Sequence, residues 1–276
     1  MVDLEPVCGL PVALDTDTFA LTSTRDGWEL PAPGLRSADA MRPVLLDPDA
    51  GLHDPLYWMY RDVCLPGHEH LRRELGLRYD ISVFRGEPMG REVFKTAGHY
   101  HPYIQWRYPL SYPEVYEVLY GEAVYLLQEV DDIYRDPHYV KVEDFIVVHA
   151  QAGQKVIMPP NYGHVTLNPN PDSAMVMSNW VCDWFRSTYD AVVQARGFGY
   201  YCLGGDGGED RWVPNPTYRQ PLPEIRRART CDAPAIGLVQ YEPMYPAAVE
   251  APEKFEYVCR PQEYLAGIWG SLDPIT

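Results

Sequence analysis

The 276-residue chain has no stretch of about 18 apolar residues, so it holds no candidate for a membrane-spanning helix. Its opening, Met1-Val2-Asp3-Leu4-Glu5-Pro6, lacks both a basic segment and an apolar core, and no secretory signal is expected from it. Positive charge is scarce. Twenty-three Lys and Arg face 39 Asp and Glu, a net charge of −16. That balance argues against nucleic acid and anionic membranes as partners. An anionic substrate must then be attracted locally, by a metal and by oriented N–H groups, against the overall field. Cysteine is thinly spread. The six (Cys8, Cys64, Cys182, Cys202, Cys231, Cys259) form no C-x2-C pair, a pattern expected of free thiols in a reducing cytoplasm. No internal repeat is visible.

What is present is turn chemistry and β pattern. The chain has 27 Pro, 21 Gly and 46% hydrophobic residues, with many short runs of strand character, which predicts an all-β protein with one sizeable core. Residues 1-41 alternate short apolar pieces with Asp, Thr, Pro and Gly and are expected as an extended arm with one or two edge strands. Met41 to Leu46 is expected as a short strand, and Pro55 to Val63 as another. His68-Glu69-His70 has an H-x-H spacing, but no matching carboxylate or His segment follows it. A loop entering a short helix is the better reading. Tyr79 to Phe84 and Arg91 to Lys95 are expected as two strands around a Gly86 to Gly90 turn. Further strands are expected at Tyr139 to Val148, Lys155 to Met158, His164 to Leu167 and Ala174 to Cys182, with a helical turn at Tyr189 to Gln194. After about residue 210 the chain is Pro-rich and irregular until Leu238 to Tyr241 and Phe255 to Val258.

The chemistry concentrates between Thr96 and Asn168. Residues i and i+2 of a strand face the same way, so His99 and His101 can aim at one interior point. Glu114 opens a patterned segment, Glu114 to Tyr120. Gly121-Glu122 is expected as a tight turn, with Ala123 to Gln128 returning as the next strand. Glu117 is the competing carboxylate, but it falls on the opposite face and only Glu114 lies six residues before Gly121. A second cluster runs Gly153-x5-Pro159-x-Asn161-x2-His164-x3-Asn168. Three imidazoles and one carboxylate suit a divalent ion that keeps positions open for substrate.

This double motif resembles that of the cupins: H-x-H, a spacer, E, six residues, G, then G-x5-P-x-G-x2-H-x3-N. Here the spacer Pro102 to Pro113 is long, a Tyr-, Trp- and Pro-rich insert expected as a loop. Val93 stands where the first motif usually has glycine, and Asn161 replaces the middle glycine of the second. Asn tolerates positive φ, so the turn survives. The context is more specific still. Thr96-Ala97-Gly98-His99-Tyr100-His101, Glu114-Val115-Tyr116, Leu126-Leu127-Gln128, Pro159-Pro160 and Thr166-Leu167-Asn168 resemble cupin-type phosphoglucose isomerases.

The resemblance implies a single cupin (double-stranded β-helix, or jelly-roll) barrel over residues 42-218. Residues 219-276 would pack on the barrel or on a partner subunit. It implies a cytoplasmic homodimer that interconverts glucose 6-phosphate and fructose 6-phosphate. One divalent metal (Fe2+, Mn2+, Zn2+ or Ni2+) would sit on His99, His101, Glu114 and His164. By position, Ser82, Thr96 and Gly98 would take the phosphate, Tyr116 and Tyr189 would face the sugar, and Glu114 would carry the proton. A substrate-facing Tyr of the family falls at Trp180, and the family's H-D-Y becomes Ser187-Thr188-Tyr189. Two other readings of a three-His, one-Glu cupin stay open: a dioxygenase or decarboxylase acting on a small organic substrate, and a non-catalytic sugar-phosphate binder.

Overall fold

The structure, a computed structural model, describes residues 1–105, 108–204 and 211–275. Two six-stranded sheets dominate it. In one, Lys155–Met158, Glu114–Tyr120, Met175–Cys182, Leu77–Phe84, Tyr57–Tyr60 and Gly34–Arg36 lie side by side; in the other, Leu272–Ile275, Ile225–Thr230, Val142–Gln151, Glu122–Val130, Tyr162–Asn168 and Phe94–Lys95. The main strands are rich in Val, Leu, Tyr and Met, and several are buried along their whole length, as Met175–Cys182 is. That composition suits strands covered on both faces. The sheets meet through rings and side chains. Tyr116 packs on Tyr125 with centroids 5.7 Å apart, and the Tyr125 hydroxyl reaches the Met177 sulfur at 3.7 Å.

Between Leu77–Phe84 and Met175–Cys182 the chain crosses repeatedly from one large sheet to the other, with Glu122–Val130 and Val142–Gln151 as an antiparallel pair within one sheet, which is the jelly-roll arrangement the motifs predict. This corrects one expectation. Gly121 does not close a hairpin: Glu114–Tyr120 and Glu122–Val130 belong to different sheets. Gly121 has φ 78°, and an added Cβ would meet the Ala174 carbonyl oxygen at 2.9 Å. Only glycine allows the chain to step across the cup there. Leu77–Phe84 and Phe94–Lys95 likewise fall in opposite sheets rather than forming a pair.

Other expectations change too. Met41 to Leu46 is not a strand. Ser37 caps a helix at Ala38–Met41, its hydroxyl accepting the Ala40 N–H at 3.3 Å, and Pro43 starts a 3-10 turn at Arg42–Val44. The arm forms its own three-stranded sheet, Val2–Asp3, Val12–Leu14 and Leu21–Ser23, with Leu4, Cys8, Leu10 and Val12 buried. It then adds Gly34–Arg36 to the edge of the first large sheet. The long insert carries two antiparallel paired strands, Tyr103–Gln105 and Tyr108–Ser111, in place of the expected loop, with residues 106–107 outside the described residues. The tail is more ordered than its Pro content suggests. Ile225–Thr230 pairs in parallel with Val142–Gln151, and Leu272–Ile275 extends the same sheet. His68-Glu69-His70 leads into the short helix His70–Arg73, and His68 Nδ1 lies 3.0 Å from the Tyr245 hydroxyl.

Candidate metal centre

His99 and His101 follow the short strand Phe94–Lys95, where the segment pairs with Tyr162–Asn168. The His99 N–H donates to the His164 carbonyl at 3.1 Å and the His164 N–H returns the bond at 3.0 Å. Two ligands from distant parts of the chain are thus locked side by side. Positive φ at Gly98 (73°) and Asn161 (73°) turns the backbone before each of them. Glu114 comes from the opposite sheet, as the first residue of its strand. The candidate ligand atoms of His99, His101, Glu114 and His164 all lie within 4.8 Å of one another.

Details of the donor set favour a cation. His101 Nδ1 lies 2.8 Å from the Tyr112 carbonyl, which fixes that nitrogen as the N–H and leaves Nε2 with its lone pair toward Glu114. Glu114 Oε1 accepts from Asn179 Nδ2 at 2.6 Å. Glu114 Oε2 is sealed from solvent and makes no hydrogen bond, yet it lies 3.2 Å from Nε2 of both His101 and His164. A buried carboxylate oxygen without a partner is costly, and the three imidazole Nε2 atoms beside it would complete a tetradentate set for a divalent ion. Burial depresses the affinity of His99 and His164 for protons. For His99 the neighbouring imidazoles add to this, whereas for His164 the Glu114 carboxylate works the other way without reversing it. Burial alone would raise the Glu114 carboxyl, but His101 and His164 outweigh it and hold the group well below the usual carboxylate range. His99 and His164 are therefore biased toward the neutral imidazole and Glu114 toward the carboxylate, the forms that bind metal.

The cavity beside these ligands gathers the other residues singled out in the sequence. Ser82, Thr96, Gly98, Tyr116 and Tyr189 all line it, together with His99, Glu114 and His164. His101 sits behind, its ring 4.5 Å from that of Phe185. The Tyr116 hydroxyl lies 3.1 Å from His164 Nε2. Burial, reinforced by the Glu114 charge, pushes its ionisation well above the ordinary phenol value. Tyr116 is thus a hydrogen-bond donor rather than a base. The Thr96 hydroxyl accepts the Thr166 N–H at 3.0 Å. The Tyr189 ring leans on His99 with centroids 5.4 Å apart, at the N-terminus of the helix Asp190–Gln194.

Trp180 is a correction. It does not face the cavity but packs outward against Tyr79, Tyr245 and Phe255. Its neighbour Asn179 lines the cavity instead, opposite Tyr116 in the strand register. Among the lining residues not singled out in the sequence are Asn179 and Arg36. Alternation from Tyr116 across the paired strand points to Asn179, but only once the register is known. Glu117 faces away from the site, as its position in the strand predicts, and pairs with Lys155 Nζ at 2.9 Å.

A family model described as glucose-6-phosphate isomerase matches residues 36–218. No curated protein matches the chain. Among solved structures, the capsular polysaccharide assembling protein CapF from Staphylococcus aureus is 15% identical over 48% of this chain and 27% of its own, with a TM-score of 0.31. The vicilin of Solanum melongena is 11% identical over 50% of this chain and 32% of its own, with a TM-score of 0.33. An oxalate oxidase is 16% identical over 51% of this chain and 60% of its own, with a TM-score of 0.31. The chain thus spans about a third or less of the CapF and vicilin chains, and likenesses this distant carry no part of the assignment. The matched segment contains all four candidate ligands and every lining residue named above, and on that match the chain belongs to the glucose-6-phosphate isomerase family, with a cupin fold.

Proposed function

We propose that the protein is a metal-dependent aldose–ketose isomerase that interconverts glucose 6-phosphate and fructose 6-phosphate. The observation that carries this reading is the convergence of His99, His101, Glu114 and His164 inside the segment matched to that family. These four residues would hold one divalent ion, and imidazole with carboxylate accepts iron, manganese, zinc or nickel. When bound, the ion supplies Lewis acidity toward two neighbouring sugar oxygens.

The chain's own groups do the rest. Glu114 Oε2 is the carboxylate atom aimed at the cluster, and Glu114 would serve in turn as ligand and as the base that takes a proton from one sugar carbon and returns it to the next. Asn179 holds the other oxygen, so the carboxylate cannot swing away. Tyr116, kept protonated by burial, donates to a sugar oxygen. Ser82, Thr96 and the Gly98 backbone line the cavity where a phosphate needs hydrogen bonds. A hydride shift between C1 and C2 would use the same geometry without a base. Solvent deuterium appearing at C2 supports the proton route, and strict retention supports the shift.

The deciding experiment strips the protein with a chelator, reloads it with single metals and follows fructose 6-phosphate conversion in a coupled assay. Activity lost on stripping and restored on reloading supports the reading. No turnover with any of the four metals overturns it. A cytoplasmic homodimer belongs to the same reading, and light scattering on the purified protein tests the dimer.

A further inference from the structure

Three arginines line the cavity: Arg36, Arg61 and Arg78. Arg78 is committed to carboxylates, with Nη2 2.8 Å from Asp80 and Nη1 2.6 Å from Asp183. Arg61 is exposed, and its side chain touches the Met59 sulfur at 3.5 Å. Arg36 differs from both. It ends the edge strand Gly34–Arg36, opposite Tyr57 in the register. Its guanidinium carbon lies 5.6 Å from the Tyr57 ring centroid and 5.5 Å from that of Tyr189. Its side chain hydrogen-bonds those of Tyr57 and Tyr189, its Nε is buried without a partner, and among the described residues no carboxylate pairs with it. A half-buried guanidinium with no counter-charge is costly unless an anion completes it.

The position of Arg36 gives that anion a direction. Tyr189 touches both Arg36, 5.5 Å from its ring centroid, and His99, with centroids 5.4 Å apart, so the cation lies one aromatic contact away from a candidate ligand. Ser82 and Thr96 present hydroxyls to the same cavity. In a chain of net charge −16, a cation with no carboxylate partner facing a cavity is a local reversal of the field.

We propose that Arg36 is the anion anchor of this site, holding the substrate's phosphate through charge-assisted hydrogen bonds with the reacting carbons toward His99. The identity of the substrate rests on the isomerase reading; the capture of a phosphate does not. The test uses metal-loaded protein and calorimetric titration with inorganic phosphate, fructose 6-phosphate and fructose, on wild type, R36Q and R36K. In R36Q, phosphate and fructose 6-phosphate are expected to bind about 10- to 100-fold more weakly. Metal content and any fructose binding should be unchanged, and the kinetic loss should fall on KM more than on kcat.

Unaltered phosphate affinity in R36Q, or no phosphate binding by wild type, overturns the proposal. Wild type that binds phosphate through Arg36 but never converts fructose 6-phosphate overturns the isomerase reading and leaves the anchor standing. Should R36Q fail to fold, R36K decides. Normal metal content with weakened phosphate binding supports the forked guanidinium contact, and unchanged binding rules it out.

Discussion

Glu114 has two unlike contacts on one carboxylate. One oxygen is tied by Asn179 and the other is left bare among imidazoles. Removing the tie in N179L should lower metal affinity about 10- to 100-fold, measured by chelator competition. Glu114→Gln removes the charge and is expected to lose both stoichiometric metal and turnover. Near-wild-type activity in that variant would end the role given to Glu114. The imidazoles set a pH dependence. Burial holds His99 and His164 below the ordinary imidazole value of 6.5. Below that value the unfolded chain binds protons that the native chain refuses, so their contribution is complete above 6.5 and is lost as pH falls. The melting temperature of stripped protein should therefore drop on acidification below about 6.5, and the loaded protein should hold to lower pH. The four ligands were legible in the sequence because metal chemistry limits residue type and strand geometry fixes the i, i+2 spacing. Arg36 and Asn179 were not, because each meets the site only through pairing with a remote strand.

At the scale of elements, the two motifs gave the ligands but not the path between them. Gly121 reads as a hairpin turn, since a glycine between two apolar alternating runs is the ordinary local signal. Whether such a turn closes a ladder or crosses to the facing sheet depends on partners such as Met175–Cys182, far along the chain. The same limit hid the helix at Ala38–Met41. Apolar Met41, Val44 and Leu45 suit a strand, yet Ser37 and Pro43 impose a cap and a turn. Gly121→Ala tests the crossing. Positive φ and the close Ala174 carbonyl are expected to cost about 1–3 kcal/mol in chemical denaturation, where a plain exposed turn would show little change.

Across the whole molecule, the tail belongs to the cup. Tyr245 and Phe255 cover Trp180, and the Met244 N–H reaches the Glu117 carboxylate at 3.2 Å. Nothing in the tail's Pro-rich composition announces this, because the contacts are made with the outer faces of distant strands. Lys155 and Glu117 are fully enclosed there. Lys155→Met should leave the carboxylate without its cation and destabilise the fold by about 3–5 kcal/mol, read by urea denaturation.

The strand Glu114–Tyr120 therefore answers to two neighbours at once. Glu114 and Glu117 stand three residues apart, about 10 Å along one stiff ribbon, one turned to the candidate metal site and the other to the wrapping tail. A disturbance at Met244 should tilt the ribbon and be heard at the other end. Mutants of the outer wrapping, chosen with no thought for chemistry, should then show altered ion retention long before they unfold.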